Sequence, residues 1–473
     1  GSRRRAIPRG RWPMNGHLTT AIVAAEMRAR GYEVHEGPET PIDGGAADSR
    51  LTRPGDLFTA FHGEHLDGND FAVEALRNGA VAAICERMPN GDWPDRTIVV
   101  APDARKAVGE LAHAWRMTCA PTVVGITGTV GKTTCKDMTA AVLAARFRTH
   151  KSEGNLNSRE GLPLALMSLQ RDHEVSVLEL AMDSPGEIVE LCEIAVPKVG
   201  VVLNVGLTHV SKLGSIEAIG HEKLSLARWL PADGTAILNV DDDRIAPVVP
   251  ELRCRVMSFG NTNPAASLRW RDVKSEGLSG LRFWVSPGAK EARVDSPIPG
   301  AHTVPSVVAA MCVGMALGMS LFETAKAVRN SGSTGRMHTL PGLNGSTIID
   351  DRYNSSPASL QGALVMLRRA GRHRIALIGR MAELGEFEVE EHRSAGVIAA
   401  TCCDILVTVG QECVPLAEAA KEAGHRDVRW FETKEEGAAD VARELREDTV
   451  VLVKASRASA FETILPVLEG KAA

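Results

Sequence analysis

Short apolar runs recur along most of the chain, each closed by a Gly, Pro or Asp turn and followed by a stretch with helical spacing. Ile22, Ala25 and Met27, set among Glu26, Arg28 and Arg30, predict a helix over 18–35. Pro54-Gly55-Asp56 marks a turn, and Leu57-Phe58-Thr59-Ala60-Phe61 a strand. A helix over 72–78, strands at Val81–Cys85 and Thr97–Val100, and a helix over 104–117 complete a small α/β domain, placed at 14–117. A second domain, 118–337, has strands at Val175–Leu180, Val199–Val205, Ala236–Val240 and Arg255–Phe259, with helical stretches between the first of them. That alternation predicts a mainly parallel sheet covered on both faces. Over 267–295 the period changes to two, with Leu281, Phe283 and Val285 alternating with polar neighbours, which predicts a hairpin or small antiparallel sheet. A helix follows over 304–321, with Pro305 in its first turn. The third domain, 338–473, repeats strand and helix through Thr347–Asp350, Ile375–Ile378, Asp404–Val409, Val428–Phe431 and Val450–Lys454, a Rossmann-like, doubly wound pattern. The fold class is therefore α/β in three domains.

One of these strands runs into chemistry. Val123-Val124-Gly125-Ile126-Thr127 ends in Gly128-Thr129-Val130-Gly131-Lys132-Thr133-Thr134, and a helix-prone segment follows. Strand, glycine loop and helix in that order make a phosphate-binding loop. Glycines let backbone N–H groups crowd round an anion, the helix N-terminus adds positive potential, Lys132 adds a point charge, and a threonine hydroxyl can hold Mg2+. The strict spacing asks for glycine where Ile126 stands, so this is a variant loop with glycines at 125, 128 and 131.

Composition changes the picture little. The chain has 473 residues, 44% of them hydrophobic and 24% charged, with a formal net charge of −5. These values are ordinary for a globular protein and make no case for nucleic acid or a membrane surface. The cluster Arg3-Arg4-Arg5 with Arg9 and Arg11 reads as a solvated head, Gly1-Ser2 as a tag remnant and Met14 as a natural start. No apolar run approaches the roughly 18 residues of a membrane span, and no signal pattern opens the chain, so a cytoplasmic location and a monomer are expected. The nine cysteines include no CxxC pair. Reduced thiols are expected, with Cys402 and Cys403 as buried small hydrophobes.

Polar groups gather at the ends of the predicted strands after the loop. Glu179 closes Val177-Leu178-Glu179, where a carboxylate is costly unless paired or metal-bound, although a strand-end Glu facing a helix dipole would read the same way. Asn155 and Asn157 lie in a loop, Asn204 ends a strand, and His209 follows; a lone His is more often structural. Lys223 falls on a helical stretch and, taken alone, reads as a solvated surface lysine.

As an ordered set these residues resemble the Mur ligases, ATP-dependent amide-forming ligases of peptidoglycan synthesis. The resemblance runs through Asp48-Ser49-Arg50 and Pro54-Gly55-Asp56-Leu57-Phe58, Gly63-Glu64 and Asp67-Gly68. It continues through the phosphate loop, Gly154-Asn155-Leu156-Asn157, Glu179, Pro185-Gly186-Glu187-Ile188, Asn204 to His209, and Lys223. In the third domain it rests on Asp350-Asp351, Tyr353-Asn354, Pro357, Glu383-Leu384-Gly385, His392 and Lys454 with Ser456-Arg457. Asp350 to Pro357 points to the branch that adds a dipeptide. The resemblance implies ATP, two Mg2+ sites and an acyl phosphate formed between a UDP-linked muramoyl-peptide and a dipeptide amine. Lys132, Glu179, His209 and Lys223 become the catalytic set. Thr133, Glu179, His209 and Lys223, the last as a carbamate, become metal ligands. Gly128, Thr129, Gly131, Lys132, Thr133, Thr134, His302, Arg336 and Asp351 would hold ATP. Ser49, Arg50, Asn155 and Asn157 would hold the UDP substrate. Tyr353, Asn354, Lys454, Ser456 and Arg457 would serve the substrates from the third domain, although the last three also fit a capped strand end. Asn330–Pro341 is the expected hinge.

The chain departs from the family pattern at Thr303 and Ser306, where asparagines on the adenine side are expected. Arg380 stands where an acid is expected, Ser356 replaces an asparagine, and Ser225 replaces a glutamate. Two alternatives therefore stay open: a ligase of this type serving another pathway, and a catalytically impaired scaffold that binds nucleotide or a partner ligase.

Overall fold

The computed structural model describes residues 16–63, 66–208, 210–332 and 338–471. The chain divides into two compact units, Gly1–Pro121 with Ser152–Ser176, and Thr122–Lys151 with Val177–Ala473.

In the first unit a five-stranded sheet runs in the order Glu33–His35, Thr97–Val100, Ala82–Cys85, Asp56–Thr59, Gly44–Ala46. The last four are parallel and the first is antiparallel to its neighbour. Phe58, Leu76, Ala83 and Ile98 form its core. Trp115, on the helix Ala104–Cys119, is buried and donates its indole N–H to Leu169 O at 2.8 Å. The helix expected over 18–35 is shorter, Thr20–Ala29. Gly31 takes φ +86° and turns the chain, and Glu33–His35 then joins the sheet. The apolar period of the helix ends at Met27, so nothing further along that face holds it to the core.

The second unit carries two sheets. The larger has nine strands in the order Ala292–Ser296, Leu281–Ser286, Leu268–Ser275, Arg255–Gly260, Thr235–Asn239, Val199–Val202, Thr122–Thr127, Val175–Glu179, Thr149–Lys151. From Leu268–Ser275 to Thr122–Thr127 neighbouring strands are parallel. The chain leaves Thr122–Thr127 towards one edge and later returns on its other side at Val199–Val202. Such a reversal opens a crevice at the carboxyl ends of the strands, where open α/β sheets bind ligands. The antiparallel strands expected over 267–295 are present, and they form one edge of this sheet. Leu268 pairs in parallel with Phe259, and two antiparallel strands follow. Leu281, Phe283 and Val285 face inward, as the period of two requires. The helix Val304–Ala316 carries Pro305 in its first turn and is buried on nearly every face.

The smaller sheet has six strands in the order His338–Pro341, Thr347–Asp350, Thr449–Lys454, His373–Ile378, Ile405–Val409, Val428–Phe431. All pairs are parallel except the first. Leu360, Leu364 and Leu367 of the helix Pro357–Leu367 pack on one face, and Ala438 and Val441 of Lys434–Glu444 on the other. All nine cysteines are free and buried. Burial pushes the thiols of Cys85, Cys119 and Cys135 up to about 12, which leaves them protonated and inert. Among the described residues no helix is long and apolar enough to cross a membrane.

Phe283 anchors the antiparallel extension and is fully buried. Phe283→Ala removes that anchor and is expected to cost about 3–5 kcal/mol, read as a lower denaturant midpoint; an unchanged midpoint would mean the extension is not part of the sheet's core.

Candidate active site

The phosphate loop is built by three different constraints on its three glycines. Gly125 lies inside the strand Thr122–Thr127, not in the loop, and a Cβ there would come 2.9 Å from Leu180 Cδ1 and 3.3 Å from Leu226 Cδ1. Gly128 has φ +152° and a Cβ would meet Leu203 Cβ at 2.9 Å. Gly131, at φ +85°, is the N-cap of the helix Lys132–Ala144. Only Gly128 and Gly131 serve the loop's backbone path; Gly125 lets a helix pack against the strand.

The loop is held by a residue whose role sequence reasoning missed. Asn204 Oδ1 accepts from the N–H groups of Thr129 and Val130 at 3.0 and 2.9 Å, and its Nδ2 donates to Val130 O at 3.0 Å. Its position at a strand end, next to the switch in strand order, was the available signal. Thr129 Oγ1 donates to Gly206 O at 3.1 Å and accepts from Gly206 N at 2.8 Å. The N–H groups of the helix start are then left at the rim, where an anion meets them. Lys132 Nζ stands over the loop, donating to Gly128 O at 2.8 Å and Thr129 O at 3.2 Å.

Thr133 Oγ1 donates to Glu179 Oε2 at 2.9 Å, and Glu179 is 2% exposed. A hydroxyl and a carboxylate side by side at the phosphate rim fit the hard oxygen donors that Mg2+ takes. Among the described residues no group of three or more His, Cys, Asp and Glu could hold a metal. His209, the expected ligand for a second ion, lies outside the described residues, as do Arg336, Glu64 and the middle of the expected hinge. Lys223 is not a surface lysine. It is 2% exposed on the helix Ile216–Trp229. Burial first, and the Lys132 ammonium second, hold its amine well below the usual lysine range. A free amine there does not fit a Mg2+ ligand; an anionic oxygen in its place would. Its neighbour Glu222 does other work, accepting from Gly186 N at 2.9 Å and Ile188 N at 2.8 Å to fix the start of the next helix.

These residues open into a cleft of about 1200 Å³, counting solvent at its mouth, between the carboxyl ends of the two sheets of the second unit. Thr129, Gly131, Lys132, Thr133, Thr134, His302 and Asp351, all expected at ATP, line it. Gly128 lies just beneath, its carbonyl taken by Lys132. Asn354 and Lys454, expected on the amine side, line the same cleft. Lys454 Nζ donates to Asp351 Oδ2 at 2.5 Å and to Asn354 O at 2.9 Å, and both charged side chains are buried. Burial pushes His302 down to about 4, so its ring is neutral at neutral pH. Tyr353, Ser456 and Arg457 form a group of their own: Arg457 Nη1 donates to the Tyr353 hydroxyl at 3.2 Å, its guanidinium stacks 5.4 Å from the ring centroid, and Ser456 N donates to Arg380 O at 2.9 Å. Arg380 is bound bidentately by Glu388 at 2.6 and 3.0 Å and reached by Glu412 at 3.2 Å.

The residues expected at the UDP substrate belong to the first unit. Ser49 is buried and donates to Glu74 Oε2 at 2.5 Å. Arg50 is largely exposed and pairs with Asp48 at 2.6 Å, which holds the Asp48 carboxyl below its usual range. Asn155 and Asn157 share one tight turn, Asn157 N donating to Asn155 O at 2.8 Å.

A phosphate loop at a switch point, a hydroxyl–carboxylate pair at its rim and a second parallel sheet across the cleft define the class as an enzyme that binds a nucleoside triphosphate by its phosphates. Family models agree along the chain: Mur ligase family, catalytic domain, matches residues 41–117, Mur ligase middle domain 126–314, and Mur ligase, glutamate ligase domain, 335–457. The chain belongs to the Mur ligase family. It is 31% identical over 433 residues to the UDP-N-acetylmuramoyl-tripeptide–D-alanyl-D-alanine ligase of Bacillus subtilis, covering 90% of this chain and 93% of that one. Among solved structures it is similar to MurF from Acinetobacter baumannii, with TM-score 0.81 and 27% identity over 96% of this chain and 100% of that one. MurF ligase from Thermotoga maritima in complex with ADP matches with TM-score 0.76 and 29% identity over 90% and 97%.

The Asp351–Lys454 pair gives a direct test of the cleft wall. Lys454→Met leaves a buried carboxylate without its partner and is expected to cost about 3–5 kcal/mol. Adding Asp351→Leu should recover most of that loss in a denaturant titration; additive losses would mean the two are not a pair.

Proposed function

We propose that the chain joins D-alanyl-D-alanine to UDP-N-acetylmuramoyl-tripeptide, with ATP converted to ADP and phosphate, in peptidoglycan synthesis. The chemistry rests above all on the Thr133–Glu179 pair at the rim of the loop that carries Lys132. The substrate pair is supported by the likeness to ligases that carry that name over nine-tenths of this chain. The nine buried, unpaired cysteines support a reducing, cytoplasmic setting.

The terminal carboxylate of the tripeptide attacks the γ-phosphorus, ADP leaves, and an acyl phosphate results. The dipeptide amine then attacks the acyl carbon, phosphate leaves and the amine gives up a proton. The first step brings one anion against another, so a dense positive field governs its rate. Lys132 and the N–H groups at the start of Lys132–Ala144 supply it. Thr133 and Glu179 would hold one Mg2+, which supplies Lewis-acid charge at the phosphate oxygens. Lys223 is a buried amine whose charged form burial disfavours, which suits it to attack carbon dioxide. Its nitrogen would add to the carbon and lose a proton, and the resulting carbamate would offer an anionic oxygen of the hard kind that a second cation takes. His209 would complete that position. Ser49, Arg50, Asn155 and Asn157 are proposed to carry the UDP-linked substrate, and Tyr353, Ser456 and Arg457 the dipeptide.

Phosphate release with UDP-N-acetylmuramoyl-tripeptide, D-alanyl-D-alanine and ATP is expected to be fast, and to fall by about a thousandfold or more in Lys132→Ala, which removes the loop's point charge. No turnover with this pair, alongside turnover with another acid and amine, would assign the chain to a different pathway. For Lys223 the expected outcome is loss of most activity in Lys223→Ala with partial return on adding a short carboxylic acid. Intact-mass analysis of the unmodified chain in bicarbonate should show one added CO2 that Lys223→Ala lacks; the same mass gain in both would remove the carbamate role.

A further inference from the structure

We infer that this cleft grips its nucleotide by the triphosphate and reads the base weakly, so that GTP and other nucleoside triphosphates serve beside ATP. The inference rests on the ligase reading above and adds a substrate range to it. With the phosphates at the start of Lys132–Ala144, the direction of the nucleoside follows from the walls. Ser306 Oγ donates to Gly131 O at 3.3 Å, so the first turn of Val304–Ala316 lies against the loop. The remaining length of the cleft runs past His302, Thr303 and Pro305, with Ser356, Ala358 and Ser359 opposite.

Adenine and guanine differ in the order of donor and acceptor along one edge. A side-chain amide reads that order with two hydrogen bonds, and such a pair discriminates by about 5- to 150-fold. Among the described lining residues most polar side chains along this length are engaged within the protein, and the exception, the Asn354 amide, has its oxygen taken and offers a donor alone. Thr303 Oγ1 donates to Gly300 O at 2.8 Å and is buried. Ser306 is held by Gly131. Asn239 donates through Nδ2 to Leu203 O at 2.9 Å and accepts through Oδ1 from Asp241 N at 3.1 Å, so both ends of its amide are engaged. Ser359 donates to Ser356 O at 3.0 Å within the capping box of the helix Pro357–Leu367. Asn354 Oδ1 accepts from Ser355 N at 2.9 Å. His302 offers one ring edge and no paired pattern. The phosphate end is the reverse: Lys132, the helix start and the Thr133–Glu179 pair address groups that every nucleoside triphosphate shares.

The test compares ATP, GTP and CTP as substrates of the full chain with the tripeptide and dipeptide pair, and measures ADP and GDP binding by calorimetry. A ratio of kcat/KM for ATP over GTP below about tenfold is expected, with ADP and GDP affinities within the same factor. An ATP preference of tenfold or more overturns the inference and leaves the ligase reading intact. Should no triphosphate be turned over, the ligase reading fails, and the ADP-to-GDP affinity ratio, judged by the same factor, decides base reading alone. Thr303→Asn with Ser306→Asn places two amides on this wall. Folding is checked by circular dichroism, and the variant is expected to widen the ATP-to-GTP ratio by at least about fivefold; a folded variant with an unchanged ratio places the base elsewhere and overturns the inference.

Discussion

Much of the site depends on how Asn204 ties down the loop. A phosphate loop must keep its helix-start N–H groups free at the rim while the turn before them stays rigid. Thr129 and Val130 give their N–H groups to the Asn204 carbonyl oxygen, and Val130 O takes the Asn204 amide. One side chain from the neighbouring strand end thus closes the turn from inside. Three hydrogen bonds from one strand end fix the turn, which lowers the ordering cost of binding an anion at its rim. The same geometry brings Thr133 to Glu179, because the helix that begins at Lys132 is aimed by the turn Asn204 fixes.

The second constraint is charge burial. Glu179, Lys223, Asp351 and Lys454 are all nearly fully buried, the last two in the wall of the cleft. Asp351 and Lys454 neutralise each other, and their pairing joins the strand ends of Thr347–Asp350 and Thr449–Lys454. Lys223 has no ion pair among the described residues, and burial, with the Lys132 ammonium second, pulls its amine well below the usual lysine range. These are two different answers to the same desolvation cost: the pair cancels its charge and holds the wall, while the lone amine answers by a lowered proton affinity.

Fold class and phosphate loop were legible in the sequence because both rest on local signals, period and glycine spacing. What was not legible depends on contacts far apart in the chain. Lys223 reads as solvated from its helix, and only the packing of Ile216–Trp229 against the sheet buries it. Gly125 reads as a loop glycine from spacing, yet what excludes a side chain there is Leu180 just past the end of the neighbouring strand, with Leu226 of that helix close behind. The strand Glu33–His35 is too short for its period to register. Residues 267–295 gave the correct period but not the partner, since nothing local says that Leu268 lies beside Phe259. The bond from the Ser49 hydroxyl to Glu74, 25 residues on, was likewise not readable from its motif.

Arg380 shows why a departure from a family motif is not yet a change in electrostatics. An arginine in place of an acid is a reversal of two charges at a strand end. In the fold its guanidinium is bound on one side by both oxygens of Glu388 and approached on the other by Glu412. Two carboxylates around one guanidinium leave the group acidic overall, the sign an aspartate there would have carried alone. Bidentate pairing also fixes the guanidinium plane, which a solvated arginine does not do. His392 lies beneath, its Nε2 accepting from Met381 N at 3.1 Å and its Nδ1 bonded to Glu388 O at 2.7 Å, so the same loop is held from inside as well. At the carboxyl end of His373–Ile378 the arginine is therefore not a free positive charge but the centre of a fixed cluster with Glu388 and Glu412.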